Sequence, residues 1–109
     1  MTEHRKLVRD GIPAIIAADG RRPVVEVLSV SDYKRALLEK LHEEAAELAR
    51  ATDSSFLDEL ADVFEVLRAL ASDAGLTVEA VAAAADAKAA DRGAFDDRLF
   101  LVRVEPAAT

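Results

Sequence analysis

The sequence contains no cysteine and no tryptophan among its 109 residues. The absence of cysteine excludes a disulfide framework, a thiolate metal site and a cysteine nucleophile. Positive charge is also scarce, because 14 Lys and Arg residues stand against 21 Asp and Glu residues, and the net charge is -7. This balance argues against binding of a nucleic-acid polymer through overall positive charge. It does not exclude a nucleotide ligand, since a bound metal ion or a local basic cluster can make the electrostatic potential positive at one site.

The sequence also lacks a long apolar run and a targeting signal. No stretch approaches membrane-spanning length, and the N-terminal MTEHRKLVRD does not have the composition of a signal peptide. A protein without a membrane segment, located in the cytoplasm, is the simplest prediction. One domain covering residues 1–109 is expected for a chain of this length.

Apolar residues recur at helical spacing along most of the chain, which predicts an all-α fold. A short helix is expected between residues 10 and 20, followed by longer helices near residues 32–51, 56–75 and 77–93. The expected helix boundaries carry residues suited to begin or end a helix: Asp10, Gly20, Ser31, Ser55, Gly75, Thr77 and Gly93. Ser55 and Asp58 also resemble a capping box. The TDSS break at residues 52–55 is short, so the first two long helices should be antiparallel neighbours.

Two segments alternate apolar and polar residues in the manner of strands, namely PVVEVLSV at 23–30 and RLFLVRVE at 98–105. The sequence therefore predicts an antiparallel helical bundle with a short two-stranded β element near residues 24–28 and 99–104. The third long helix is rich in alanine and offers little area for burial. This composition indicates close helix packing or a subunit contact.

Each of the first two long helices carries an apolar stripe, and acidic residues lie on one flank of it. The stripes are Leu37, Leu38, Leu41, Ala45 and Leu48 in one helix, and Phe56, Leu60, Val63, Phe64, Leu67 and Leu70 in the other. Glu44 lies roughly 65° and Glu59 roughly 80° from the centre of its stripe. Glu47 and Asp62 lie further round in the same rotational sense. Glu43 points nearly opposite its stripe.

In an antiparallel pair, equal rotational offsets place side chains on the same side of the two helices. The short break also sets the levels along the axis, so that Glu47 should lie level with Glu59, and Glu44 with Asp62. Four carboxylates are therefore expected to converge at the edge of the core. Such close negative charges repel one another, and either protonation or bound cations would relieve the repulsion. A site made of oxygen ligands, without Cys or His, favours Mg²⁺ or Mn²⁺ over zinc. The alternative interpretation is that the carboxylates belong to two solvated acidic helix faces and bind no metal.

The order of these motifs resembles the MazG-like all-α nucleotide pyrophosphohydrolases, whose signature is EExxE followed by ExxD. The matching stretches are EEAAE at residues 43–47 and ELAD at residues 59–62. Two more stretches resemble a subgroup described as phosphoribosyl-ATP pyrophosphohydrolase-like: KLVRDGIP at residues 6–13, followed by RRPVVEVLS, and KAADRGAF at residues 88–95. The resemblance covers nearly the whole chain, and it is specific to the family rather than to a substrate.

The resemblance implies Mg²⁺-dependent cleavage of a nucleoside triphosphate between its α and β phosphates. The products are a nucleoside monophosphate and pyrophosphate. By motif position, the implied metal ligands are Glu44, Glu47, Glu59 and Asp62, and Glu43 matches the first glutamate in a supporting role. The family commonly pairs subunits, so a homodimer or a higher homo-oligomer is expected.

Basic residues are needed for phosphate oxygens that a metal ion does not contact. The candidates are Lys6, Arg9, Lys88 and Arg92. Surface charge is the alternative interpretation for the first two, and contact with a helix C-terminal dipole is the alternative for the last two. A non-catalytic helical dimerisation or regulatory module that retains an acidic face is the main competing function. A metal-binding bundle without hydrolase activity is a third possibility.

Overall fold

The computed structural model describes residues 4–108, and within them helices are the only regular secondary structure, without a β-strand. The helices are α1 (Ile12–Ala18), α2 (Val30–Ala49), α3 (Phe56–Asp73) and α4 (Val78–Arg92). The prediction of an all-α fold is confirmed. The chain divides into two compact units at the Thr77–Val78 boundary, and each is described by itself below. The single-domain organisation stays a prediction.

The first helices begin at residues other than those expected from the sequence. Gly11, not Asp10, is the N-cap of α1, and no side chain caps that helix. Ser29, not Ser31, is the N-cap of α2, because its extended backbone lets its hydroxyl accept a hydrogen bond from the Asp32 amide at 3.2 Å. The helix therefore begins at Val30, two residues earlier than predicted and at the last residue of the PVVEVLSV segment.

The turn between α2 and α3 is stabilised by hydroxyl groups, but the predicted capping box does not form. Ser55 is the N-cap of α3 without a side-chain cap hydrogen bond. Its hydroxyl instead accepts a hydrogen bond from the Thr52 amide at 3.0 Å, within the break itself. At the other end of α3, Gly75 adopts φ +74°, and the Leu76 amide donates to the Ala71 carbonyl at 2.8 Å. The predicted ends of α3 and α4 near Gly75 and Gly93 are confirmed.

The predicted β element at residues 24–28 and 99–104 is wrong, because neither segment forms a strand in the structure. Both segments leave apolar side chains exposed, including Val27 at 99% and Leu99 at 89%. Alternation of apolar and polar residues suits the two faces of a strand. A strand also needs a second strand with which its backbone can form hydrogen bonds. Neither segment has such a partner within residues 4–108.

The core of the first unit lies between α2 and α3, which pack against each other. Its buried apolar side chains are Leu37 of α2 and Val66 and Ala71 of α3. Val66 follows Glu59 and Asp62 at spacings that place all three on one face of the helix. The contact between the two helices is therefore shifted towards the flanks that carry the acidic residues, while Leu37 of the α2 stripe remains in the core.

This packing leaves much of the predicted core on the surface. The apolar side chains concerned are Leu38 (44% exposed), Phe56 (49%), Leu60 (44%), Phe64 (45%) and Leu67 (46%). The prediction that the stripes form the core is therefore wrong for these positions. We call this set the apolar face of the helical hairpin.

No helix within residues 4–108 combines the length and the apolar character needed to cross a bilayer.

Candidate metal centre

A cluster of three carboxylates lies between the two packed helices. Glu44 comes from α2, and Glu59 and Asp62 come from successive turns of α3. One oxygen from each lies within 4.8 Å of the others, and all three residues are half-buried. The short turn between the helices brings Glu44 to the level of Asp62, as the sequence indicates. We call these residues the acidic triad.

Glu47, the fourth predicted ligand, lies outside the triad. Its Oε1 atom accepts a hydrogen bond from Nη2 of Arg50 at 3.2 Å, and its side chain is 48% exposed. It nevertheless lies close enough to Glu59 for its charge to affect that residue. The structure therefore places Glu47 at the border of the cluster and paired with a cation of its own helix.

Glu43 also lies outside the triad, in agreement with its outward angle on the helix. Its Oε1 atom is 3.4 Å from Nζ of Lys40, and its side chain is 41% exposed. Because Lys40 also contacts Glu44, Glu43 is joined to the triad through this lysine and not directly.

Two cations compensate part of the charge of the acidic triad. Nη2 of Arg9 donates to Oδ1 of Asp62 at 2.7 Å, although the two residues are 53 positions apart in the sequence. Nζ of Lys40 lies 3.4 Å from Oε1 of Glu44. Glu59 has no ion pair with any residue of the described part of the chain. The triad is therefore compensated unevenly, and Glu59 is the carboxylate left without a cation.

The pKa of Glu59 is raised above its ordinary value of 4.5. The largest cause is loss of solvent around the carboxyl group, followed by repulsion from Asp62, Glu47, Glu44 and Asp58 in that order. Folding thus makes this proton harder to remove. A bound cation would favour the ionised form and offset the same repulsion.

We expect Glu59→Gln to stabilise the metal-free protein at neutral pH. Because folding raises the pKa of Glu59, the stability linked to its protonation is present below pH 4.5 and is lost as the pH rises through the raised pKa. In EDTA, Glu59→Gln should therefore melt above the wild type at pH 7, and the difference should shrink towards pH 4. Thermal unfolding followed by circular dichroism measures this shift.

Glu39→Gln is the matched control, because Glu39 is exposed on α2 and lies outside the triad. It should melt like the wild type across the same pH range. Adding Mn²⁺ should reverse the order of wild type and Glu59→Gln, because only the intact triad gains the free energy of cation binding. A Glu59→Gln variant less stable than the wild type at pH 7 in EDTA would contradict the charge repulsion described here.

The predicted basic residues differ in their placement. Arg9 reaches the triad through Asp62, whereas Lys6 is exposed and makes no ion pair with the described residues. Lys88 and Arg92 belong to α4 in the second unit, where Arg92 Nε lies 3.7 Å from Asp91 Oδ2. Of the four, Arg9 is the one for which the structure shows a contact with the acidic triad.

Lys40 is a site residue that the sequence analysis missed. It lies one helical turn before Glu44, and this spacing was a signal that could have identified it. The neighbouring glutamates match the EExxE motif, whereas the motif does not include this lysine. A single lysine on a helix is usually a solvated surface residue. Its 19% side-chain exposure distinguishes it from an ordinary surface lysine.

The ligand chemistry of the acidic triad suits a hard divalent cation. Its donors are carboxylate oxygens, and the chain offers no cysteine. Such a donor set favours Mg²⁺ or Mn²⁺ over zinc. Fold and site thus define an all-α protein with a carboxylate cluster between two helices.

A protein of Mycolicibacterium smegmatis (strain ATCC 700084 / mc(2)155), described as "Uncharacterized protein", is similar to part of this chain. The two are 55% identical over 49 residues, which make up 45% of this chain and 49% of that protein. The chain thus spans about half the length of the curated relative it matches. No family model matches the chain, and no solved structure matches it. The function must accordingly be argued from the residues of the site.

Proposed function

We propose that the protein is a Mg²⁺-dependent nucleotide pyrophosphohydrolase of the MazG-like type, with Mn²⁺ as an alternative cation. It cleaves a (d)NTP or a related nucleotide between the α and β phosphates and gives a monophosphate and pyrophosphate. The observation that carries the proposal is the acidic triad, in which ligand oxygens from two helices lie within 4.8 Å of one another. Its members stand at the positions of the EExxE and ExxD motifs.

In this proposal Glu44, Glu59 and Asp62 hold the cation, and Glu47 completes the ligand set after leaving Arg50. A divalent cation held by carboxylates supplies charge neutralisation for the phosphates and lowers the pKa of a bound water. The raised pKa of Glu59 supports its place in the set, because cation binding relieves the repulsion that disfavours its charged form. Oxygen donors from two helices also hold the ligands on rigid elements rather than on loops.

Cationic side chains contact phosphate oxygens that the metal does not reach. Arg9 is the first candidate, because its guanidinium is already 2.7 Å from the triad at Asp62. A guanidinium presents paired donors that suit phosphate oxygens. Lys6, Lys88 and Arg92 are proposed for the same role from their positions in the basic motifs.

The proposal includes a homodimer or higher homo-oligomer acting in the cytoplasm on a nucleotide, and not on a nucleic-acid polymer or a membrane. The net charge of -7 supports the exclusion of a polymer. The exposed apolar face of the hairpin supports self-association, because burying apolar side chains against a second subunit is favourable.

The competing function is a non-catalytic dimerisation or regulatory module that retains the acidic triad. The apolar face favours this candidate as well, since it provides a surface for association that needs no chemistry. The two functions predict the same dimer and differ only in the fate of a nucleotide.

A nucleotide panel separates these functions. Pyrophosphate release from the common ribo- and deoxyribonucleoside triphosphates is measured with Mg²⁺, with Mn²⁺ and with EDTA. We expect metal-dependent release from at least one nucleotide and none in EDTA. Mn²⁺ binding without any turnover across the panel would favour the non-catalytic module.

A further inference from the structure

Lys40 lies on the face of α2 that packs against α3. It follows the buried Leu37 by three residues and precedes Glu44 by four, so all three share one side of the helix. Its side chain is 19% exposed and its Nζ atom lies 3.4 Å from Oε1 of both Glu43 and Glu44. A single ammonium group therefore bridges the two adjacent glutamates of the EExxE motif.

Helix stabilisation alone is a weak explanation of this arrangement. A lysine that precedes a glutamate by four residues is the less favourable order for a helical ion pair. Burial of an ammonium group is also costly unless it is paired. The contact must therefore have its basis in the neighbouring carboxylates and not in the stability of α2 alone.

We propose that Lys40 is a positioning residue that orients Glu44 for cation binding, an inference that rests on the proposed metal site. A carboxylate has two oxygens, so one oxygen of Glu44 can contact Lys40 while the other remains available to a cation. Residues hydrogen-bonded to metal-ligating carboxylates fix their orientation, and their loss typically weakens metal binding about 10- to 100-fold. At 13% side-chain exposure, Glu44 has few water molecules that could replace Lys40.

The same bridge assigns a role to Glu43. Because its Oε1 atom also lies 3.4 Å from the ammonium group, Glu43 anchors Lys40 without entering the acidic triad. Glu43 thus acts on the site through Lys40 and Glu44. This explains why a motif residue that points outward is coupled to the cluster.

The test is a calorimetric Mn²⁺ titration of the full chain with Lys40→Met, Lys40→Arg and the control Lys34→Met. Lys34 is exposed on the same helix, so its replacement makes the same charge change away from the triad. We expect Lys40→Met to raise the Kd for Mn²⁺ about 10- to 100-fold. Lys40→Arg should recover part of the affinity, and Lys34→Met should bind like the wild type. Circular dichroism confirms that each variant is folded before titration.

Pyrophosphate release as a function of Mn²⁺ concentration supplies a second readout. Lys40→Met should need more Mn²⁺ but approach the wild-type rate at saturation, because orientation of Glu44 affects cation affinity. Binding of Mn²⁺ by Lys40→Met as tight as in the wild type, or tighter, would overturn the proposal and make Lys40 a competing counterion. A rate that stays low at saturating Mn²⁺ would also overturn it, since Lys40 would then act on the substrate.

Glu59→Gln distinguishes failure of this inference from failure of the proposed function. If Glu59→Gln binds Mn²⁺ weakly and Lys40→Met binds it normally, the acidic triad is the metal site but Lys40 does not position Glu44. Normal binding by Glu59→Gln instead shows that the acidic triad is not the metal site.

Discussion

Glu59→Gln should lower the rate of Mg²⁺-dependent pyrophosphate release by about two to three orders of magnitude. A metal ion typically contributes several kcal/mol to stabilisation of the transition state, and each 1.36 kcal/mol is about a tenfold change in rate. Glutamine keeps the size of the side chain while removing its charge, so packing between α2 and α3 should be preserved. Steady-state kinetics at saturating Mg²⁺ measures the change.

The other carboxylates should follow the order set by their contacts. Glu44→Gln and Asp62→Asn should be as damaging as Glu59→Gln, because all three belong to the acidic triad. Glu47→Gln should cost less, since Glu47 has Arg50 as an alternative partner. Glu43→Gln should have the smallest effect among these variants. A Glu43→Gln variant more damaged than Glu59→Gln would contradict the single-chain geometry and make Glu43 a ligand or a base.

The second large effect should be dissociation of the oligomer by a charge in the apolar face. Five apolar side chains of α2 and α3 (Leu38, Phe56, Leu60, Phe64 and Leu67) are each between 44% and 49% exposed, and burying them against a second copy would be favourable. Leu60 and Phe64 of the apolar face also line a surface cavity of about 380 Å³ into which a partner side chain can pack.

Light scattering at micromolar concentration should give a mass of at least twice 11.7 kDa for the wild type. Leu67→Asp should shift the protein to a monomer and lower its melting temperature, because a buried unpaired charge destabilises an interface by several kcal/mol, on the order of 3–5. Ile15→Asp is the matched control, since Ile15 is 64% exposed on α1, outside the apolar face. A wild-type mass near 11.7 kDa would count against the interface.

Local signals in the sequence specify the helices well. Glycine with positive φ ends α3 and α4, and the apolar spacing identifies the helices between these ends. The first residue of α2 is harder to predict, because Ser29 and Ser31 are equally suitable N-cap residues. Only the backbone conformation selects Ser29. The convergence of Glu44 with Asp62 follows from helix geometry and the length of the turn, which are nearly independent of side-chain packing.

Features that depend on rotation of the helices or on distant partners were not accessible from the sequence. A helical wheel assigns the broadest apolar stripe to the core, yet Leu60 and Leu67 are nearly half exposed, because the contact between α2 and α3 is shifted towards their acidic flanks. Lys40 escaped notice for the same reason, since its burial depends on which flank of α2 packs. The exposure of Val27 similarly reflects the lack of a partner strand and not the local pattern.

The proposed cleavage of a nucleotide between its α and β phosphates, with a cation held at the acidic triad, yields products that differ from those of other phosphatases. Phosphorus NMR of the products tests it most directly, with wild type and Glu59→Gln incubated in parallel with the best nucleotide and Mg²⁺. We expect matching signals of nucleoside monophosphate and pyrophosphate for the wild type, and almost none for Glu59→Gln. Formation of nucleoside diphosphate and orthophosphate, or equal product formation by both proteins, would contradict it.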